Sequence, residues 1–200
     1  MLKLFIDILL FIIIAYYCYR FFQVLFRLNH HVLFPLTEQD LNEVRPQPES
    51  KLDYPNFSNH KFHILIHGGV YAFVIAVYFW GLSLSEINLS LYLTLLLPAT
   101  SAKDVYSLFA FVEEGVISGF RFVPWGRITS FEYVPIDINH RFYGYAKEVN
   151  NSYELKMKTK FGSVSCVVLT EEMREKLTAI LTERIPGAEK EKAALHRSEI

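Results

Sequence analysis

Cysteine is almost missing from this chain: Cys18 and Cys166 are the two thiols in 200 residues, too few for a disulfide scaffold or a cysteine-based zinc site. The sequence motifs of the common catalytic machineries are missing as well. There is no Gly-x-x-x-x-Gly-Lys to cradle phosphate, no Gly-x-Gly-x-x-Gly and no Gly-x-Ser-x-Gly elbow for a hydrolase nucleophile. Cys166 sits inside an apolar run, where a thiol behaves as a small buried hydrophobe. Asp137 and His140 share a loop with no serine or thiol beside them, and Glu113-Glu114 reads as a turn. No enzyme activity and no cofactor are expected from these residues. Net charge is lacking too: 20 basic against 21 acidic residues leave −1, so no global field gathers nucleic acid. Disorder is excluded by 52% apolar and 20% charged residues.

Charge is also lacking locally. Residues 1–34 carry Lys3, Asp7, Arg20 and Arg27, and residues 62–102 carry Glu86 alone. From Asp104 onward there are 13 basic and 14 acidic residues, the texture of a water-soluble domain. The first apolar run, Leu4 to Tyr19, reaches about 24 Å as a helix and becomes long enough for a bilayer when continued to Phe26 with Arg20 snorkelling. Tyr16, Tyr17, Tyr19, Phe21 and Phe22 resemble an interfacial aromatic belt. A cleaved signal peptide needs small residues at a cleavage site, which Ala-Tyr-Tyr-Cys-Tyr-Arg does not offer.

The second run, Phe62 to Leu84, holds no Asp, Glu, Lys or Arg. The third, Ile87 to Ala102, is short and carries Pro98, which a membrane helix tolerates when neighbours cover the break. The expectation is a transmembrane region over 1–102, with spans at about 4–26, 62–84 and 87–102. Lys and Arg concentrate in and beside the connection 27–61 (Arg20, Arg27, Arg45, Lys51, Lys61), which by the positive-inside bias is cytoplasmic. Three spans then put the C-terminal half in the cytoplasm as well; two would put it outside.

Pro35, Pro46, Pro48 and Pro55 make the connection read as mostly irregular. One short helix is expected after Thr37, with Asp40 three residues on. His60, His63 and His67 recur at i, i+3 and i+7, one face of a helix, with His30 and His31 near the other span. Imidazole is the commonest metal ligand, so a metal- or haem-binding membrane protein is the alternative reading. Histidines at a half-wet interface are the plainer one.

From Val105 the apolar period shortens to that of strands. Val105–Val112, Val116–Val123 and Arg127–Val134 read as strands, broken at Glu113-Glu114-Gly115, Pro124 and Pro135. In Tyr153–Thr159, Tyr153, Leu155, Met157 and Thr159 alternate with Glu154, Lys156 and Lys158, so one face is buried. A turn at Phe161-Gly162 leads to a partner strand, Ser163–Leu169. The aromatic segment 136–151, with Phe142, Tyr143 and Tyr145, reads as a further strand, an exposed contact loop being the alternative. Thr170 caps an amphipathic helix with Met173, Leu177, Ile180, Leu181 and Ile185 as its apolar stripe, ended by Pro186-Gly187. A charged tail, 187–200, follows.

The order Glu114-Gly115-Val116, Phe122-Val123-Pro124-Trp125, Ile128 and Phe131-Glu132 resembles bacterial membrane proteins with a pleckstrin-homology-like (PH-like) domain, a family without an assigned activity. The resemblance implies an α+β membrane protein: three N-terminal transmembrane helices, then an antiparallel PH-like β-domain over 103–186 closed by its C-terminal helix. Phosphoinositide binding after the first strand is not expected, because Glu113 and Glu114 repel phosphate.

Lys156, Lys158 and Lys160 alternate along one strand and form a basic stripe, a candidate surface for anionic lipid or a partner. Lysines on an edge strand that discourage further pairing are the competing explanation. The resulting expectation is a non-enzymatic, multi-pass protein of the plasma or inner membrane. Its cytoplasmic domain contacts the bilayer, a membrane-protein partner or a second copy.

Overall fold

The computed structural model describes residues 2–27, 31–55, 57–84, 108–119 and 121–185. The expected third span at 87–102 and the tail at 187–200 lie outside the described residues. The chain divides into two compact units, Met1–Asn29 with Asn56–Tyr106, and His30–Pro55 with Ser107–Ile200.

The first unit contains two long helices, α1 (Leu2–Arg27) and α3 (Phe57–Leu82), both long and apolar enough to cross a membrane. They lie side by side. Leu10, Val74 and Tyr78 form the seam, with Ile6, Ile14, Val70 and Val77 around it. The Tyr78 hydroxyl donates to the Asp7 carbonyl at 3.0 Å, and Phe21 meets Tyr71 with ring centroids 5.3 Å apart. Lys3 hydrogen-bonds the carbonyls of Leu82 and Leu84, where α3 leaves its last carbonyls without intrahelical partners. Only 11% of the most apolar stretch of α1 and 17% of that of α3 is buried.

The second unit is built from two four-stranded antiparallel sheets and, among the described residues, two α-helices, one short and one long. Its strands are β1 (Val32–Phe34), β2 (Val44–Arg45), β3 (Phe109–Val112), β4 (Gly115–Ser118), β5 (Arg121–Pro124), β6 (Ile128–Pro135), β7 (Tyr153–Thr159) and β8 (Gly162–Val168). One sheet runs β1-β3-β4-β5, the other β2-β8-β7-β6. A 3₁₀ turn, Trp125–Arg127, carries the chain from β5 to β6. Helix α4 (Glu171–Arg184) closes the unit, its first turn capped by the Thr170 hydroxyl accepting from the Met173 amide.

Both sheets and α4 share one core. Phe34, Phe109, Phe111, Val116 and Trp125 from the first sheet side meet Leu155, Met157, Val164 and Cys166 of the second and Met173, Leu177 and Leu181 of α4. Trp125 packs edge-on against Phe111 at 5.4 Å and donates its indole N–H to the carbonyls of Val112 and Glu113, both at 3.1 Å, so its one polar atom is satisfied. The Tyr133 hydroxyl donates to the Arg174 carbonyl at 3.1 Å, tying β6 to α4. Burial in that position pushes the Tyr133 phenol well above its usual pKa.

Three expectations are corrected here. First, the connection is not a loop apart: residues 31–55, with only short elements of their own, belong to the β unit. Val32 and Phe34 of β1 pair with Val112 and Phe111, and Val44 and Arg45 of β2 pair with Val168 and Val167. Between them, α2 (Glu38–Glu43) follows Thr37 in a full capping box with Asp40. The cause is long-range pairing: strands of three and two residues are too short to show a period of their own. Second, Val116–Val123 is two strands, because the chain turns at Gly119 with φ 54° and sets Ser118 opposite Arg121. Third, 136–151 forms turns rather than a strand, held by bonds such as Asn151 N–H to the Ile136 carbonyl at 3.0 Å.

Candidate functional site

The face of the second sheet turned away from the core carries the side chains singled out in the sequence. Leu155 and Met157 point into the core, so alternation puts Glu154, Lys156 and Lys158 on the opposite face of β7. Register sets Glu154 between Val134 and Val167, Lys156 between Glu132 and Ser165, and Lys158 between Ser130 and Ser163. Strand β7 lies inside its sheet between β6 and β8, so its lysines do not guard an edge.

The three lysines stand in different surroundings. Lys156 is half-buried. Lys158 ion-pairs with Glu132 at 2.8 Å. Lys160 is beyond the strand, in the two-residue turn with Phe161, and its ammonium lies 5.6 Å from the Phe161 ring centre. Across that turn, the Arg121 guanidinium donates to the Ser163 carbonyl at 3.3 Å. Lys158 and Lys160 therefore gather with Arg121 at the β7–β8 end of the unit.

At the opposite end of β7, Glu154 is 3% exposed, whereas Lys156 and Lys158 farther along the same face are half-buried. The turns of 136–151 fold over it, with Ile136, Val149 and Val167 making a small second core and Phe142 packed beside them. His140 Nε2 is 3.0 Å from one Glu154 oxygen and Arg141 Nη2 is 2.6 Å from the other. His140 Nδ1 accepts the Phe142 amide at 3.2 Å, which assigns the proton to Nε2 and makes it a donor to Glu154. The Arg141 guanidinium lies 4.5 Å over the Phe142 ring. Burial alone raises the Glu154 carboxyl. Hydrogen bonds from Ser165, Arg141 and His140, with the Arg141 charge, outweigh it and hold the group below the usual carboxylate value. A carboxylate saturated by donors is a clamp on the loop, not a free base.

A second buried carboxylate, Asp40, joins the connection to α4. It is 1% exposed, accepts from the Leu36 and Thr37 amides at 2.8 and 3.1 Å, and binds Lys176 Nζ at 2.6 Å. Burial raises its pKa, but the Lys176 bond, the two amides and the Lys176 charge bring it below the ordinary value. Nearby, the Thr170 hydroxyl donates to Glu43 at 2.6 Å. Cys166 is buried and its thiol is pushed well up by desolvation and by the Glu154 charge, the opposite of what a nucleophile needs.

The histidine face is distributed as follows. His60, His63 and His67 all belong to α3, and His67 is half-buried. The side chains of His60 and His63, and residue His30, lie outside the described residues; His31 immediately precedes β1. Among the described residues, no group of three or more His, Cys, Asp or Glu side chains stands ready to hold a metal ion.

Sequence reasoning missed the His140–Arg141–Glu154 clamp, because its carboxylate sits in the polar register of a strand and its partners in a loop. It also missed Arg121 and Phe161 beside Lys160. The available signal was a phenylalanine in a two-residue hairpin turn, where glycine, asparagine and aspartate are usual. No family model matches the chain, and no curated protein or solved structure matches it.

Proposed function

We propose that the chain is a non-enzymatic integral membrane protein. In this reading three spans hold a PH-like β unit against the cytoplasmic leaflet of the plasma or inner membrane. There the unit serves as a contact surface for the bilayer, a membrane-protein partner or a second copy.

One observation carries the reading. Residues 31–55 and 108–185 fold into a single β unit, with β1 paired to β3 and β2 to β8, while the apolar helix α3 lies between them in sequence. Two halves of one unit must be on the same side of a bilayer. If α3 crosses once, the chain crosses back before Leu108, and Ile87–Ala102 is the apolar run available for that return. The sparse burial of α1 and α3 supports lipid contact, since the core helix of a water-soluble protein buries most of its apolar surface. The basic residues of the connection favour the cytoplasmic side. The PH-like assignment is supported by two antiparallel sheets facing a shared core with a C-terminal helix packed on it.

The test introduces one accessible cysteine at a time in a Cys18→Ser background, at Lys51→Cys or at Glu172→Cys, both exposed positions, with Cys166 buried out of the reagent's reach. A membrane-impermeant maleimide should modify both only after intact cells are permeabilised, and the protein should resist alkaline extraction. Labelling of one site from outside and the other from inside contradicts the three-span arrangement. Release of the chain by alkaline carbonate removes the membrane reading altogether.

A further inference from the structure

We propose that the β7–β8 hairpin tip is a lipid-docking wedge: Phe161 enters the headgroup region of an anionic leaflet while Lys160 and Arg121 hold lipid phosphates beside it. This rests on the membrane reading above and names the surface that does the contacting.

Phe161 is 86% exposed, more than any other large apolar side chain among the described residues, including those on α1 and α3. The fold has no need of it there. The closing pair of the hairpin is Thr159 and Gly162, and the backbone strain of the tight turn is taken by Gly162 at φ 122°, a conformation open to glycine. The Thr159 hydroxyl fastens the turn by donating to the Gly162 carbonyl at 2.8 Å. Phe161 therefore projects from a rigid hairpin and contributes no buried area to either core cluster of the β unit.

Its surroundings are cationic. The Lys160 ammonium stands 5.6 Å from the ring centre. The Arg121 guanidinium reaches across from β5 to the Ser163 carbonyl, within 3.8 Å of where a Gly162 side chain would begin. Lys158, paired with Glu132, stands two residues before Lys160. An aromatic ring amid Lys and Arg suits the interface of an anionic bilayer: the ring settles among headgroups and acyl ends while the cations meet phosphate. A protein pocket would equally take a ring, but Lys160 and Arg121 beside it ask for negative charge, while Lys158 already has Glu132 as its counter-ion. Short connections join the β unit to both apolar helices, since β1 begins five positions after α1 ends and Pro55 precedes α3 by two.

The test uses the full chain in nanodiscs. A Phe161→Cys, Cys18→Ser variant is labelled with an environment-sensitive NBD dye, in discs of phosphatidylcholine alone or with phosphatidylglycerol. Glu172→Cys on α4 serves as the water-exposed control. The expected result is a blue-shifted signal at 161, quenched by shallow doxyl-labelled lipid, in the anionic discs. It should weaken about tenfold in neutral discs or after Lys160→Gln with Arg121→Gln. Both substitutions leave the folded core untouched, which near-ultraviolet circular dichroism verifies. A 161 signal that stays water-like in both discs, with the chain firmly embedded, overturns the wedge and leaves the membrane reading standing. Equal insertion in both discs overturns the anionic assignment. A chain that will not embed in discs at all defeats the membrane reading itself.

Discussion

Two buried carboxylates, Asp40 and Glu154, decide how the β unit answers acid. Each has its folded pKa held below the ordinary value, by Lys176 and two amides in one case and by Ser165, Arg141 and His140 in the other. The unfolded chain then takes up protons at higher pH than the folded one. The stability these groups supply is complete above about pH 5 and is lost as pH falls through about 4 and below. Asp40→Asn should cost about 2–3 kcal/mol at neutral pH, through a lost cap and an uncompensated Lys176, and should flatten the acid limb of stability against pH. Thermal unfolding followed by near-ultraviolet circular dichroism between pH 3 and 8 measures both, and an acid limb as steep as that of the unaltered protein would contradict the assignment. The capping partnership of Thr37 and Asp40 was readable from their spacing. The third partner, Lys176, was not, because nothing local links α2 to a helix at the far end of the chain.

At the scale of elements, the hairpin β4–β5 depends on one close approach. A Cβ at Gly115 would stand 2.2 Å from the Val123 carbonyl oxygen and 2.8 Å from Pro124 Cα, both backbone atoms that cannot rotate away. Gly115→Ala should therefore part the end of the hairpin and destabilise the unit by about 3 kcal/mol or more. Gly126→Ala, with nothing within 4 Å, should change stability little. Denaturant midpoints compare the two directly, and equal midpoints would refute the close packing. The elements legible in the sequence are those with a sustained period: β7 and its alternation, α4 with its cap and stripe, and the long apolar helices. Strands β1 and β2 were illegible because three and two residues carry no period, and the prolines around them spoke for irregular chain. The aromatics of 136–151 suggested a strand by composition, yet Phe142 is drawn instead into the small core above Val167.

At the scale of the whole molecule, the boundary suggested by composition falls in the wrong place for the β unit. A fragment of residues 103–186 has the apparent domain but lacks β1 and β2, leaving Phe111 without Phe34, its ring neighbour at 5.8 Å, and β8 without its outer partner. That fragment should bind a hydrophobic dye and melt without a cooperative transition. Joining 31–55 ahead of 108–185 through a flexible linker should restore one sharp transition, and a fragment that melts sharply by itself would disprove the contribution of the connection. The candidate contact surface was half legible: the lysines announced themselves by alternation, whereas Arg121 reaches their end only because β4 and β5 fold back on each other at Gly119.

The pairing of Val32 with Val112 and of Val44 with Val168 also sets a timetable for biogenesis. When β1 and β2 leave the ribosome, their partners have not yet been translated, so the first strands wait unpaired until β3 and β8 have followed. Assembly of the two sheets thus falls at the end of synthesis, when β3 and β8 have joined the strands that wait for them.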